Sequence, residues 1–183
     1  MTYKDLQVHV DNSASCQSRL HAAAKLATAF DAHLTGVFAR PQFHLPSYTL
    51  SMNAVNMEWL DNLEADYEKA IDAKECDAKQ VFDEVISQYQ VETLWRSVSG
   101  EVHSSLAEEA GYTDLLVLGQ PDPDDDANKD MDLPDKILLT AGRPFLVVPY
   151  FGIDGNTLGK HPLVAWNGSR ESNRALHDAL PLL

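Results

Sequence analysis

Between Asp114 and Gly119 the chain reads DLLVLG, and from Phe145 to Pro149 it reads FLVVP. The second is a shorter apolar strand. The first is a near-continuous apolar run that cannot leave one face in water as an amphipathic strand does, and it suits a strand buried on both faces, as in a parallel sheet covered by helices above and below. That requirement constrains the rest of the chain, because parallel neighbours need long crossovers, usually helical. The opening residues meet it. Leu6 to Val10 alternates as a strand, and Asp11-Asn12-Ser13 supplies turn and capping chemistry. From about Ala14 to Phe30, Leu20, Ala23, Ala24, Ala27 and Phe30 recur at helical spacing, with alanines that permit close packing on a sheet. His33 to Ala39, HLTGVFA, is then a second strand.

Arg40 to Asn56 holds Pro41, Pro46 and no sustained period, and reads as a long crossover loop. Met57 to Gln88 is a long helix lined by Leu60, Leu63, Tyr67, Ile71, Ala78, Phe82 and Val85. Val91 to Val98 is the third strand, Glu101 to Ala110 a short helix, and Asp114 to Leu118 the fourth strand. An acidic loop, PDPDDDANKDMD, leads to a helix over Leu133 to Ala141 with Pro134 in its first turn, where a missing N–H costs little. Phe145 to Val148 is the fifth strand.

The tail repeats the start. In LVAWNGSRESNRALHDAL, Val164 matches Val8, Asn167 matches Asp11, Ser169 matches Ser13, and Leu176-His177 matches Leu20-His21. The expected organisation is one domain over residues 1–149, a glycine-bearing linker over 150–161, and over 162–183 the first strand and helix of a second copy, truncated. A repeat unit that breaks off cannot bury its own apolar face.

Charge and cysteine content exclude several classes. A formal net charge of -14 opposes nucleic acid, whose binding rests on neutralising phosphates with Lys and Arg. Cys16 and Cys76 lack metal-ligand spacing and imply reduced thiols, in keeping with a cytoplasmic protein. No run suits a signal peptide or a membrane span. Aspartates at 122, 124 and 126 imitate a calcium loop, but Ala127 and Leu133 stand where it needs glycine and glutamate, so no metal site is expected. His9, His21, His33 and His103 show no ligand spacing, and Ser104 and Ser105 lack the G-x-S-x-G turn that exposes a hydrolase nucleophile.

With this element order, VHVDNS (Val8 to Ser13), HLTGVFA, DLLVLG and DKILLTAGRPFLVVP (Asp135 to Pro149) together resemble the universal stress protein family, and the tail resembles the start of a second domain in a tandem member. The resemblance implies a three-layer α/β sandwich around a five-stranded parallel sheet, Rossmann-like and akin to the adenine-nucleotide alpha-hydrolases. It implies a stress-response role, and pairing through the last strand (Phe145 to Pro149) as a homodimer or within a tandem chain. Nucleotide-binding members carry G-x2-G-x9-G-[ST] after the fourth strand, where glycines let backbone N–H groups approach phosphates. Here Gly119 matches the first glycine, Asp122 stands at the second, and in a shorter loop Met131 and Asp132 replace the glycine and hydroxyl pair.

Seven aspartates face one lysine between Gln120 and Asp135. A carboxylate about 4 Å from a phosphate costs roughly 4 kcal/mol at an effective dielectric of 20. A few such contacts cancel micromolar affinity, worth about 8 kcal/mol. The expectation is a non-catalytic module without cofactor, in which Asp11, Val37, Leu118 and Gly119 are the remnant of a nucleotide pocket. The alternative is an ATP-binding sensor or slow ATPase with magnesium bridging the aspartates and the phosphates.

Overall fold

The computed structural model describes residues 2–45, 57–125, 132–153 and 158–183. Strands β1 (Asp5–Val10), β2 (His33–Arg40), β3 (Thr93–Ser99), β4 (Leu115–Gly119) and β5 (Phe145–Val148) alternate with helices α1 (Cys16–Phe30), α2 (Met57–Ile86), α3 (Val102–Ala110) and α4 (Leu133–Thr140). Helix α5 (Arg170–Ala179) follows in the tail. The strands form one parallel sheet in the order β3-β2-β1-β4-β5. This is the α/β sandwich that the apolar runs require. Of the expected crossover loop, residues 46–56 lie outside the described residues, as do Asp126 and Ala127 of the calcium-like sequence.

Period-two alternation explains why β4 is apolar throughout. Leu115 and Val117 join the cluster formed with Leu20, Ala23, Ala24 and Ala27 of α1 and Phe82 of α2, while Leu116 and Leu118 join Leu106 of α3 and Ile137 of α4 on the opposite face. All five residues of β4 are buried. The alanines of α1 let that helix sit close to the sheet, and Gly36 on β2 leaves room for Phe82, which a Cβ there would meet at 2.6 Å. Arg40, ending β2, ties α2 to the carboxyl end of that strand through Glu68 at 3.0 Å, Asp72 at 2.6 Å and Glu75. The α2 stripe is buried from Ile71 onward, whereas Leu63 is exposed.

The tail departs from expectation in one respect. Its helix forms, but residues 162–167 make no strand, and Leu163 is 97% exposed. A strand exists only by pairing, and no neighbour meets this one among the described residues. The tail is nevertheless anchored: Leu158 and Leu182 pack on the main core, Tyr3 Oη donates to the Asp178 carbonyl, and Arg174 donates to the Gly142 carbonyl at 2.9 Å.

Candidate functional site

In a sheet of this order the connections diverge between β1 and β4. Ligand sites in open α/β sheets lie in the crevice at the carboxyl ends of the strands at that point. The residues that build it here are Val10 at the end of β1, Asp11 and the turn that leads into α1, Gly119 from β4, and one side chain from α1 itself. That side chain is Arg19.

Arg19 is 1% exposed. Its Nε donates to the carbonyl of His9, at the end of β1, at 2.7 Å. Its Nη2 stands 2.8 Å from Asp11 Oδ1, an ion contact without an aligned hydrogen bond among the described residues. The guanidinium then crosses to β4. A Cβ built on Gly119 would overlap Nη1 and lie 3.2 Å from Cζ. Arg19 thus runs across the switch point from one strand end to the other, and Gly119 is the residue that gives it room.

Asp11 is engaged within the chain through its Oδ1. Its Oδ1 accepts the Ser13 backbone N–H at 3.0 Å and the Ser13 hydroxyl, closing the turn before α1. Burial pushes the carboxyl up, but Arg19, His9 and the Ser13 hydrogen bonds outweigh it and hold Asp11 well below the usual carboxylate range. His9 is buried beside it, with Nδ1 3.8 Å from Asp11 Oδ2. Burial is the main cause that lowers His9 to about 4, against the pull of Asp11, so its imidazole is neutral at pH 7. Burial pushes the Cys16 thiol up, which makes it a poor nucleophile. Across the crevice, Asp125 of the acidic loop accepts the Ala14 backbone N–H at 3.4 Å. One of the loop's carboxylates therefore sits on an amide at the entrance to α1, where an anion would be drawn.

The four residues singled out from sequence divide into two pairs. Asp11 and Gly119 are brought together, through Arg19. Val37 and Leu118 are both 0% exposed in the cluster with Leu106 and Ile137, and present no surface to the crevice. A cavity of about 250 Å³ beside Asp11, lined also by Ser13, Cys16, Asp77 and Val81, falls below the roughly 300–1,000 Å³ of small-molecule pockets. Among the described residues no group of His, Cys, Asp and Glu is placed to hold a metal ion, and no helix is long and apolar enough to cross a membrane. Arg19 escaped the sequence reading because it lies among the alanines of a helix. Its spacing to Ala23 and Leu26 puts it on the buried stripe, and that was the available signal.

No protein-family model matches the chain, and no curated protein matches it in sequence. Solved structures do. A universal stress protein in complex with cAMP is 20% identical, with 82% of this chain and 99% of that one covered at a TM-score of 0.53. The universal stress protein UspA from Lactobacillus plantarum is 18% identical, with 80% and 98% covered at 0.59. A universal stress protein from Archaeoglobus fulgidus is 12% identical, with 97% of this chain and 62% of that one covered at 0.62. The chain has the fold of the universal stress proteins.

Proposed function

We propose that this chain is a universal stress protein module that serves the stress response through protein contacts, without catalysis, and that its crevice holds no nucleotide. One observation carries this: the groups that would meet an adenine nucleotide are already engaged inside the chain. Asp11 is paired with Arg19 and Ser13, and the approach to Gly119 is filled by the guanidinium. The Ala14 amide is taken by Asp125. As built, these residues do not fit a nucleotide. The absent glycine loop and the seven aspartates of the stretch from Gln120 to Asp135 support the same reading.

The contact surface in this proposal is the β5 side. β5 ends the sheet, and a cavity of about 400 Å³ runs beside it between Leu138, Phe145 and Leu146 on one wall and Ala175 and Ala179 of α5 on the other. An edge strand flanked by apolar side chains favours pairing, either in a homodimer or with a second domain of a tandem chain. The Archaeoglobus fulgidus structure, which matches across the tail as well, supports counting residues 162–183 as the start of such a domain. A cytoplasmic location belongs to the same reading. The rival is an ATP-binding sensor with magnesium over the acidic loop, favoured by the neighbour bound to cAMP. Calorimetric titration with ATP, with and without magnesium, separates the two: no heat is expected in either case, and saturable heat would sink the proposal.

A further inference from the structure

We infer that Arg19 is a built-in occupant of the switch-point crevice, the residue that closes this copy of the fold to ligands, and that an Arg19→Ala chain accepts an uncharged adenine nucleoside there. This deepens the proposed function and rests on its reading of a copy that holds no nucleotide.

Three observations meet on this side chain. It is 1% exposed although arginine is among the residues least often buried, and its ionic partner among the described residues is Asp11. It spans both strands of the crevice, from the His9 carbonyl on β1 to Gly119 on β4, so it occupies the approach that a ligand would use. The third observation is internal to the sequence. In the repeat, Asn167 stands at the position of Asp11 and Ala175 at that of Arg19, so both members of the ion pair are absent together while the serine and the leucine-histidine pair are kept. The turn itself does not need the charge pair, since Ser169 donates to Asn167 Oδ1 at the same 3.0 Å as Ser13 to Asp11.

The class of ligand follows from what remains once the arginine is gone. Asp125 still sits on the Ala14 amide at the mouth, and its carboxylate still opposes a phosphate there. Removing Arg19 also removes the buried cation that stands 2.8 Å from Asp11. The opened crevice is therefore suited to a neutral nucleoside with hydroxyl and ring-nitrogen groups for Asp11, and is poorly suited to its triphosphate.

The test uses the full chain and four variants. Arg19→Ala opens the site, and Asp11→Asn with Arg19→Ala reproduces the pair of the repeat without leaving a lone buried carboxylate, in case the single variant does not fold. Calorimetric titration with adenosine is expected to give at least tenfold tighter binding in these variants than in the unaltered chain, and at least tenfold tighter than with ATP. Gly119→Ala is expected to lower the melting temperature by about 5 °C in the unaltered chain, as overpacking does, and to have little effect in the Arg19→Ala background. An equal drop in both backgrounds overturns the placement of Arg19 over Gly119. Folded Arg19→Ala and double variants that stay silent toward adenosine overturn Arg19 as the closing residue. Binding of ATP by the unaltered chain sinks the proposed function and the closing role of Arg19 together, whereas silence of the folded variants toward adenosine sinks the inference alone.

Discussion

Val8 to His21 and Val164 to His177 run through the same steps, a strand-like pair of apolar residues, a side-chain-capped turn and a helix, yet they end in different environments. The turn is the same in both. Ser13 donates to Asp11 and Ser169 to Asn167 at 3.0 Å, because an Asx turn needs only the residue and its own backbone. The helix follows in both, although only the tail helix has a side-chain cap, Ser169 Oγ accepting from the Ser172 N–H, while α1 starts at Cys16 without one. The strand forms once. Val8 and Val10 are 0% exposed between β2 and β4, while Val164 is 46% exposed and Trp166 52%. The contrast separates what a short sequence specifies by itself from what it borrows from neighbours.

The largest expected difference between the copies is in amide exchange. Val8 to Val10 should exchange only through global opening, at least a thousandfold slower than Val164 to Trp166, because strands at the centre of a sheet reach the full stability of about 5–15 kcal/mol. Hydrogen exchange read by mass spectrometry checks this. Protection at 164–166 that grows with protein concentration would show that the second strand has found its partner in another molecule, and would break the contrast.

Next in size is the ion pair that only the first copy has. Asp11→Asn, which writes the residue of the repeat into the first copy, leaves the Arg19 guanidinium buried without its carboxylate and should cost about 4 kcal/mol in urea unfolding. Arg19→Met keeps the bulk of the stem and leaves Asp11, whose side chain is 24% exposed, to find water; about 2 kcal/mol is expected. The double variant should recover most of the loss. Strict additivity of the two single effects would mean that the pair is not coupled as its 2.8 Å contact implies.

What could be read from residues alone divides along the same line as the two copies. The continuous apolar run at 115–118 gave away a parallel sheet, because burial on both faces leaves a direct mark on composition, and the alanines of α1 gave away a helix close upon it; the run at 145–148 is a half-buried edge strand and carries that mark less directly. Asp11 and Gly119 were legible as crevice residues, since a turn residue after β1 and a glycine after β4 carry their position in their type. Their common partner was not. Arg19 is eight residues from Asp11 and a hundred from Gly119, and a buried arginine in an alanine helix resembles a solvated one until the sheet is in place. Nor was the unpaired state of residues 162–167 legible, because a strand pattern states a preference and pairing is decided elsewhere.

A third difference is a titration. Ala165 stands in the repeat where His9 stands in the first copy. His9 is lowered by burial to about 4 from an ordinary 6.5, so above pH 6.5 the folded and unfolded chains carry it equally neutral. As the pH falls below 6.5 the unfolded chain takes up a proton that the folded one refuses, and stability declines until about pH 4, by about 3 kcal/mol in total. Asp11 adds to the loss at lower pH, because its depressed carboxyl stabilises the fold only above the unfolded value of 3.8. Urea unfolding across pH 7 to 4 should show this slope, and His9→Ala, which copies the repeat, should flatten it between 6.5 and 4. A slope unchanged in that variant would assign the titration to another group.

The smallest effect concerns how the second copy is held. Tyr3 is half of the link between β1's leading residue and α5: its hydroxyl donates to the Asp178 carbonyl while its ring packs edge-on to Phe30 at 5.3 Å. Burial, followed by Asp178 and Asp114, raises its phenol, which keeps the donor proton in place through the neutral range. Tyr3→Phe keeps the ring and removes the donor, so it should cost the main fold about 1 kcal/mol or less. The tail should respond more than the core does, because Arg174 to Gly142 and the packing of Leu158 and Leu182 are the contacts left to hold it among the described residues. Limited proteolysis should therefore cut the segment from 158 to 183 faster in Tyr3→Phe, with the melting temperature of the sheet nearly unchanged. Equal cutting rates would mean that α5 is held by its apolar contacts alone, and that the tail keeps its place through the residues that follow β5.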